Sequence, residues 1–214
     1  MLRWIYLLIQ HYTVHPSSDS LLHHICNQPE LLISTDGSRI HNKSDGSWII
    51  ALPDWTKLVS GHNLEFGRHV AINSYHSEVY ASLASLTFLE RYCDYSSLPL
   101  SNTIYATCAS KSYVTKMKEF ISNPYTKLFI HKIKEYEAYF VILSTLSVNF
   151  AINHMKGHQD NFKLRKDLTI EEQLNINSDK IATTCAKIPL NIHLPSVPLA
   201  IYLKEEYIHL PHTQ

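Results

Sequence analysis

Three acidic residues, Asp36, Glu78 and Asp179, lie far apart in the sequence but in local settings that would gather them. Asp36 closes a short apolar run, Leu31-Leu-Ile-Ser-Thr35, and Gly37 follows it. Glu78 falls in the first turns of one helical pattern and Asp179 inside another, while position 109 closes a second apolar run, Thr103–Cys108. Strand ends and nearby helix faces of an α/β sheet converge on one crevice. Carboxylates collected there repel one another unless a cation offsets them, and Mg²⁺, which takes oxygen ligands, is the natural one. A pair of such ions about 3.5–4 Å apart is a common device for in-line attack of water on a phosphodiester. A single Asp or Glu is usually a solvated charge or a cap, so only the combination carries weight.

The elements that must position these residues can be read in order. Leu31–Thr35 reads as a strand, with a turn at Asp36-Gly37. Trp48–Leu52 and Thr56–Ser60, separated by Pro53-Asp54, read as two further antiparallel strands. Asn73-Ser74 can cap a helix in which Val79, Leu83, Leu86 and Leu89 fall at i, i+4, i+7 and i+10. Strand 103–108 follows, then a helix opening at Ser110 with Val114, Met117 and Ile121 on one face, ended by Pro124. Residues 135–146 read as helical, and Val148, Phe150 and Ile152 alternate as in a strand. Thr169-Ile-Glu-Glu172 is a capping-box pattern that starts a last helix reaching about Lys187. The order β-β-β-α-β-α-α-β-α predicts an α/β fold: a mixed five-stranded sheet, three antiparallel strands then two parallel, flanked by helices.

Length and composition set bounds. The 214 residues suit one domain with extensions, here a lead-in over 1–29, a domain over 30–187 and a proline-containing extension over 188–214 with one strand pattern at Leu199–Leu203. Apolar content of 45% and charged content of 18% describe a globular chain, and no repeat or low-complexity tract interrupts it. The 19 basic and 19 acidic residues cancel, so no general basic field advertises a nucleic-acid partner. Cys26, Cys93, Cys108 and Cys185 are scattered, without C-x-x-C spacing, and read as reduced thiols. The apolar run Trp4–Ile9 is far shorter than the roughly 20 residues that span a bilayer and lacks a cleavage site after it. The expectation is an intracellular protein, cytoplasmic or nuclear, that is not secreted and has no membrane partner.

Five ordered segments carry a resemblance: Thr35-Asp-Gly-Ser38, Ser77-Glu-Val-Tyr-Ala-Ser-Leu83, Ile104–Cys108 with Ser110-Lys-Ser112, Lys156-Gly-His-Gln-Asp160, and Leu174-Asn-Ile-Asn-Ser-Asp-Lys-Ile-Ala182. In this order the chain resembles ribonuclease H domains over roughly residues 30–187. The Gly-His-Gln-Asp and Leu-Asn…Asp…Ala segments resemble the type 1-like form at the C-terminal end of retroelement reverse transcriptases. The resemblance implies a two-metal nuclease, with two Mg²⁺ (or Mn²⁺) ions, that cuts the RNA strand of RNA–DNA hybrids. It implies that Asp36 bridges the metals, Glu78 supports one and Asp179 binds the other. His158 matches a mobile histidine that assists proton transfer or product release, and an imidazole of ordinary pKa suits that work. Ser38, Asn73, Ser74 and Ser110 are candidate substrate contacts, each also readable as a turn or cap residue. Residues 1–29 would be the end of a polymerase connection segment, making the polymerase part of a larger polyprotein a partner.

Position 109 departs from that pattern. The family places an aspartate there as a metal ligand; here it is Ala109, whose methyl group cannot coordinate a cation. Neither Asp94 nor Asp160 is an obvious stand-in. The alanine admits three readings: a substitution that traps substrate, a loss in a decaying element, or a change offset by another ligand. The sequence thus leaves two functions open, a hybrid ribonuclease of impaired activity and an inactive nucleic-acid-binding or interaction module that keeps the fold.

Overall fold

A computed structural model of the chain describes residues 11–40, 43–64, 74–97, 102–122 and 149–187, with Ile9 and Leu100. The helical pattern at 135–146, the strand pattern at 199–203 and nearly all of the apolar run at 4–9 lie outside the described residues. Ten elements concern us: β1 (His11–Val14), α1 (Ser18–Asn27), β2 (Glu30–Ile40), β3 (Lys43–Ala51), β4 (Lys57–Leu64), α2 (Ser74–Tyr95), β5 (Thr103–Cys108), α3 (Lys111–Ser122), β6 (Asn149–His154) and α4 (Ile170–Lys187).

The sheet order is β1-β4-β3-β2-β5-β6. The mixed sheet anticipated from sequence is its body: β4, β3 and β2 pair antiparallel, and β2-β5 and β5-β6 pair parallel. A sixth strand, β1, is added by the lead-in segment, which pairs His11–Val14 antiparallel with Val59–His62 at the outer edge. The adjoining α1 begins at Ser17, whose hydroxyl accepts the Ser20 N–H at 3.3 Å, and it buries Leu21 and Ile25 in the main core.

Alternation along the strands divides the core between the two faces of the sheet. Ile33, Trp48, Ile50, Ile104 and Ala106 meet Val79, Leu83, Leu86 and Leu89 of α2 and Val114 and Met117 of α3. Leu32, Ile49 and Ala51 meet Leu174 of α4 on the opposite face. Two glycines allow close approach. A Cβ at Gly61 would lie 2.4 Å from the Trp48 indole, and one at Gly46 would lie 2.5 Å from the Ser77 carbonyl oxygen at the start of α2.

One boundary differs from expectation in a way that matters. The turn read at Asp36-Gly37 is absent: β2 runs on to Ile40, paired to β3 through Asp36–Ser47 and Gly37–Gly46. The partner strand overrides the local turn preference. What ends at this level is β5, whose last residue Cys108 pairs with Thr35. Asp36 therefore emerges beside the end of a strand, although it does not terminate its own.

Candidate active site

The parallel register of β2 and β5 ends at Thr35–Cys108, and Asp36 and Ala109 each follow that pair by one residue. Strand alternation puts residues 34, 36 and 38 on the α4 face, between Leu32, which packs on Leu174, and Ser38, whose Oγ lies 3.3 Å from Thr183 Oγ1. Asp179, next to Ser178 on α4, reaches Asp36 in a carboxyl–carboxylate hydrogen bond. Glu78 arrives from the other face. The seat of Ser77 against Gly46 drops the first turns of α2 onto the sheet, and the Glu78 carboxylate accepts the Gly37 N–H.

Burial dominates the electrostatics of Asp36 and Glu78. It pushes Asp36 up to about 9, helped by repulsion from Glu78 and Asp179 and by the hydrogen bond to Asp179, while the Gly37 N–H pulls the other way. Burial also lifts Glu78 to about 7, against the opposing donors Cys108 and Gly37. The Cys108 thiol donates to Glu78 Oε2 at 3.0 Å, and burial and that carboxylate hold the thiol well above its ordinary range. Sequence reasoning missed Cys108 as a site residue, because a strand-end cysteine reads simply as core. Thr183 was also missed; its hydroxyl lies 3.3 Å from Asp179 Oδ1, and its only signal was the i, i+4 spacing from Asp179.

His158 completes the rim. It sits in the left-handed region (φ 55°), and its Nδ1 lies 3.6 Å from Asp179 Oδ2, with two-thirds of its side chain exposed. The loop that carries it is pinned from below: the buried Gln159 amide donates to Lys156 O (3.0 Å), and Met155 N–H donates to Cys108 O (3.0 Å). Ala109 is half-buried, with a Cβ at Gly157 falling only 3.8 Å from its methyl group.

The remaining sequence candidates divide. Ser110 Oγ accepts the Tyr113 N–H at 3.4 Å and so caps α3, and Ser38 is tied to Thr183 as described. Ser74 is the first residue of α2, whereas Asn73 lies outside the described residues. Asp160 is exposed, and Asp94 lies 16 residues beyond Glu78, about 24 Å along α2 at the usual helical rise.

No protein-family model matches this sequence, and no curated protein does. Solved structures resemble it in fold. LC11-RNase H1 in complex with an RNA/DNA hybrid is 14% identical, with a TM-score of 0.50 over 72% of this chain and 94% of that one. LC9-RNase H1, a type 1 RNase H with the type 2 active-site motif, is 12% identical, with a TM-score of 0.51 over 74% of this chain and 72% of that one. The chain therefore has a ribonuclease H-like fold.

Proposed function

We propose that this chain is a ribonuclease H-like domain that binds RNA–DNA hybrids and hydrolyses their RNA strand, with turnover impaired by Ala109. The observation that carries the reading is the convergence of Asp36, Glu78 and Asp179, with His158 beside Asp179, at the end of β5. The RNA/DNA hybrid bound by LC11-RNase H1, which shares the fold, supports the choice of ligand. The Gly-His-Gln-Asp and Leu-Asn…Asp…Ala segments support a retroelement reverse-transcriptase setting, with the polymerase part of a larger polyprotein as neighbour.

The donor set fits a divalent, oxygen-seeking cation. Three carboxylates supply the oxygens, with the Cys108 thiol and His158 at the edge of the set, and burial and repulsion from neighbouring carboxylates favour the protonated forms of Asp36 and Glu78, a penalty that a cation would offset. Asp36, Glu78 and Asp179 are the residues that would hold two Mg²⁺ or Mn²⁺ ions. Ala109, whose methyl group cannot coordinate a cation, would offer such ions no oxygen. When bound, such ions neutralise the phosphodiester and acidify the attacking water.

The chain's own residues do the rest. Asp36 and Glu78 release their protons, and the Gly37 N–H and Cys108 S–H then hold the Glu78 carboxylate in place. Thr183 fixes Asp179. His158, exposed at the rim beside Asp179, would deliver a proton to the departing 3′-oxygen or help release the cut strand.

A second reading, an inactive hybrid-binding module, is favoured by Ala109 itself. Misplacement of reacting groups by an ångström can cost about a hundredfold. Backbone amides and hydroxyls that touch phosphates and 2′-hydroxyls need no metal. The two readings separate when labelled RNA–DNA hybrid, single-stranded RNA and duplex DNA are each tested for binding and for cleavage in Mg²⁺ and in Mn²⁺. Slow cleavage confined to the hybrid and abolished by Asp36→Asn is the expected result. Hybrid-selective binding without cleavage would favour the second reading, and no preference for hybrid in either assay would overturn both.

A further inference from the structure

A second cluster of metal-ligating side chains lies on the same face of the sheet as α4 but toward the opposite end of that helix. Antiparallel pairing sets Ser38 against Asp45, Ser47 against His62 and His62 against His11, so Asp45, His62 and His11 share the face on which Asp36 lies. On α4, Ser178, Ala182 and Cys185 follow at i, i+4 and i+7 and form its sheet-facing stripe. The last of them brings a thiol over β3 and β4. One ligand atom each from Asp45, His62 and Cys185 lies within 4.8 Å of the other two.

We propose that Asp45, His62 and Cys185 form a Zn²⁺ site, with a fourth position open on the solvent side beside His11. Nothing in the proposed hybrid chemistry uses these residues, so the inference stands apart from that reading. The donor set of one carboxylate, one imidazole and one thiolate suits Zn²⁺ and does not suit Mg²⁺, which prefers oxygen. Three protein ligands with an open fourth position is a coordination that zinc commonly adopts.

The unliganded geometry has two features that an ordinary ion pair does not explain. Asp45 is fully buried, with His62 Nδ1 3.3 Å from its Oδ2 and the Asn63 N–H also directed to the carboxylate. Its Oδ1 is buried without a hydrogen-bond partner, which costs free energy unless something else binds there. In addition, sulfur and carboxylate oxygen converge. A nucleophilic Cys–His–Asp arrangement would put them on opposite nitrogens of the imidazole, several ångströms further apart. Convergence on a common point is what coordination requires. The His11 ring stacks on His62 with centroids 4.9 Å apart and planes within 8°, fixing the orientation of the ligand ring.

Such an ion would tie α4 to β3 and β4 at the end of the helix remote from the capping box, six residues beyond Asp179. The site takes its ligands from three distant segments, so no spacing in the sequence announces it.

The test is metal content and spectroscopy on the full chain. After purification and dialysis, zinc should be present at about one ion per chain. Co²⁺ exchanged into the metal-free chain should give a thiolate-to-cobalt charge-transfer band. Cys185→Ala should abolish that band and weaken zinc binding at least about a hundredfold, since even losing a group behind a ligand commonly costs up to that much. Cys26→Ala should leave both unchanged. In the unsubstituted chain, zinc should protect Cys185 from alkylation as read by peptide mass spectrometry, a measurement that needs no variant to fold. Equal zinc uptake by the chain and Cys185→Ala, a charge-transfer band that survives Cys185→Ala, or Cys185 alkylation unaffected by zinc would overturn the proposal.

Discussion

Buried acids that gain protons on folding set a pH dependence that can be followed residue by residue. Asp36 is raised from 3.8 to about 9, so the folded chain keeps a proton there over a range in which the unfolded chain has lost it. More protons bound in the folded state means that stability falls as pH rises through that window, and Glu78 adds a fall between 4.5 and about 7. In EDTA the melting temperature should decline from about pH 5 to about pH 9, less steeply in Asp36→Asn, and Mg²⁺ should restore most of the loss at the alkaline end. A melting temperature that climbs over this range in EDTA would contradict the assigned burial of Asp36. Cys108 offers a second check at this scale. Its thiol is a buried donor to Glu78, so Cys108→Ala leaves an unsatisfied acceptor and should cost about 1–3 kcal/mol in denaturant unfolding.

Among the elements, α2 and α4 do most of the positioning, and each depends on a small device. For α2 the device is Gly46, against which Ser77 O would meet any Cβ at 2.5 Å. Gly46→Ala should destabilise the fold by about 1–3 kcal/mol through overpacking and displace Glu78 from Gly37. An unchanged unfolding midpoint would show that the helix seats elsewhere. For α4 it is the capping box, complete in the structure: Thr169 Oγ1 accepts the Glu172 N–H (3.3 Å) and Glu172 Oε2 accepts the Thr169 N–H (2.9 Å). Thr169→Ala should cost about 1 kcal/mol.

That box, the α2 stripe and the alternation at Phe150 and Ile152 were legible in the sequence because each is a local pattern. The length of β2 was not. Asp36-Gly37 carries a turn signal, and only pairing with Ser47 and Gly46 keeps the strand extended through it. The edge strand β1 was equally hidden, since the four residues His11–Val14 are too few for their alternation to stand out, and the strand is defined by its partner β4. Within the site, the three carboxylates and His158 could be named from sequence motifs. Cys108 and the Asp45–His62–Cys185 cluster could not, because contacts between distant segments leave no spacing to read.

At the scale of the molecule, a two-faced core carries the sheet, and the carboxylate trio forms where helices from both faces meet the end of β5. Among the described residues Trp48 is the largest fully buried side chain, with Gly61 against its indole and Phe88 at 5.5 Å between ring centroids. The whole fold, rather than any single residue, decides whether an acid at position 109 can be accommodated. Ala109 is half-buried near Gly157, one residue beyond the Thr35–Cys108 pair as Asp36 is. The rate of hybrid cleavage by Ala109→Asp relative to the unsubstituted chain therefore tests the account most directly, with Ala109→Asn as the uncharged control. A carboxylate at 109 should raise Mg²⁺-dependent cleavage of the RNA strand by about a hundredfold or more, and the amide should recover little of it. If Ala109→Asp folds and binds hybrid but cleaves no faster than the unsubstituted chain, position 109 is not the vacancy described and the site assignment fails.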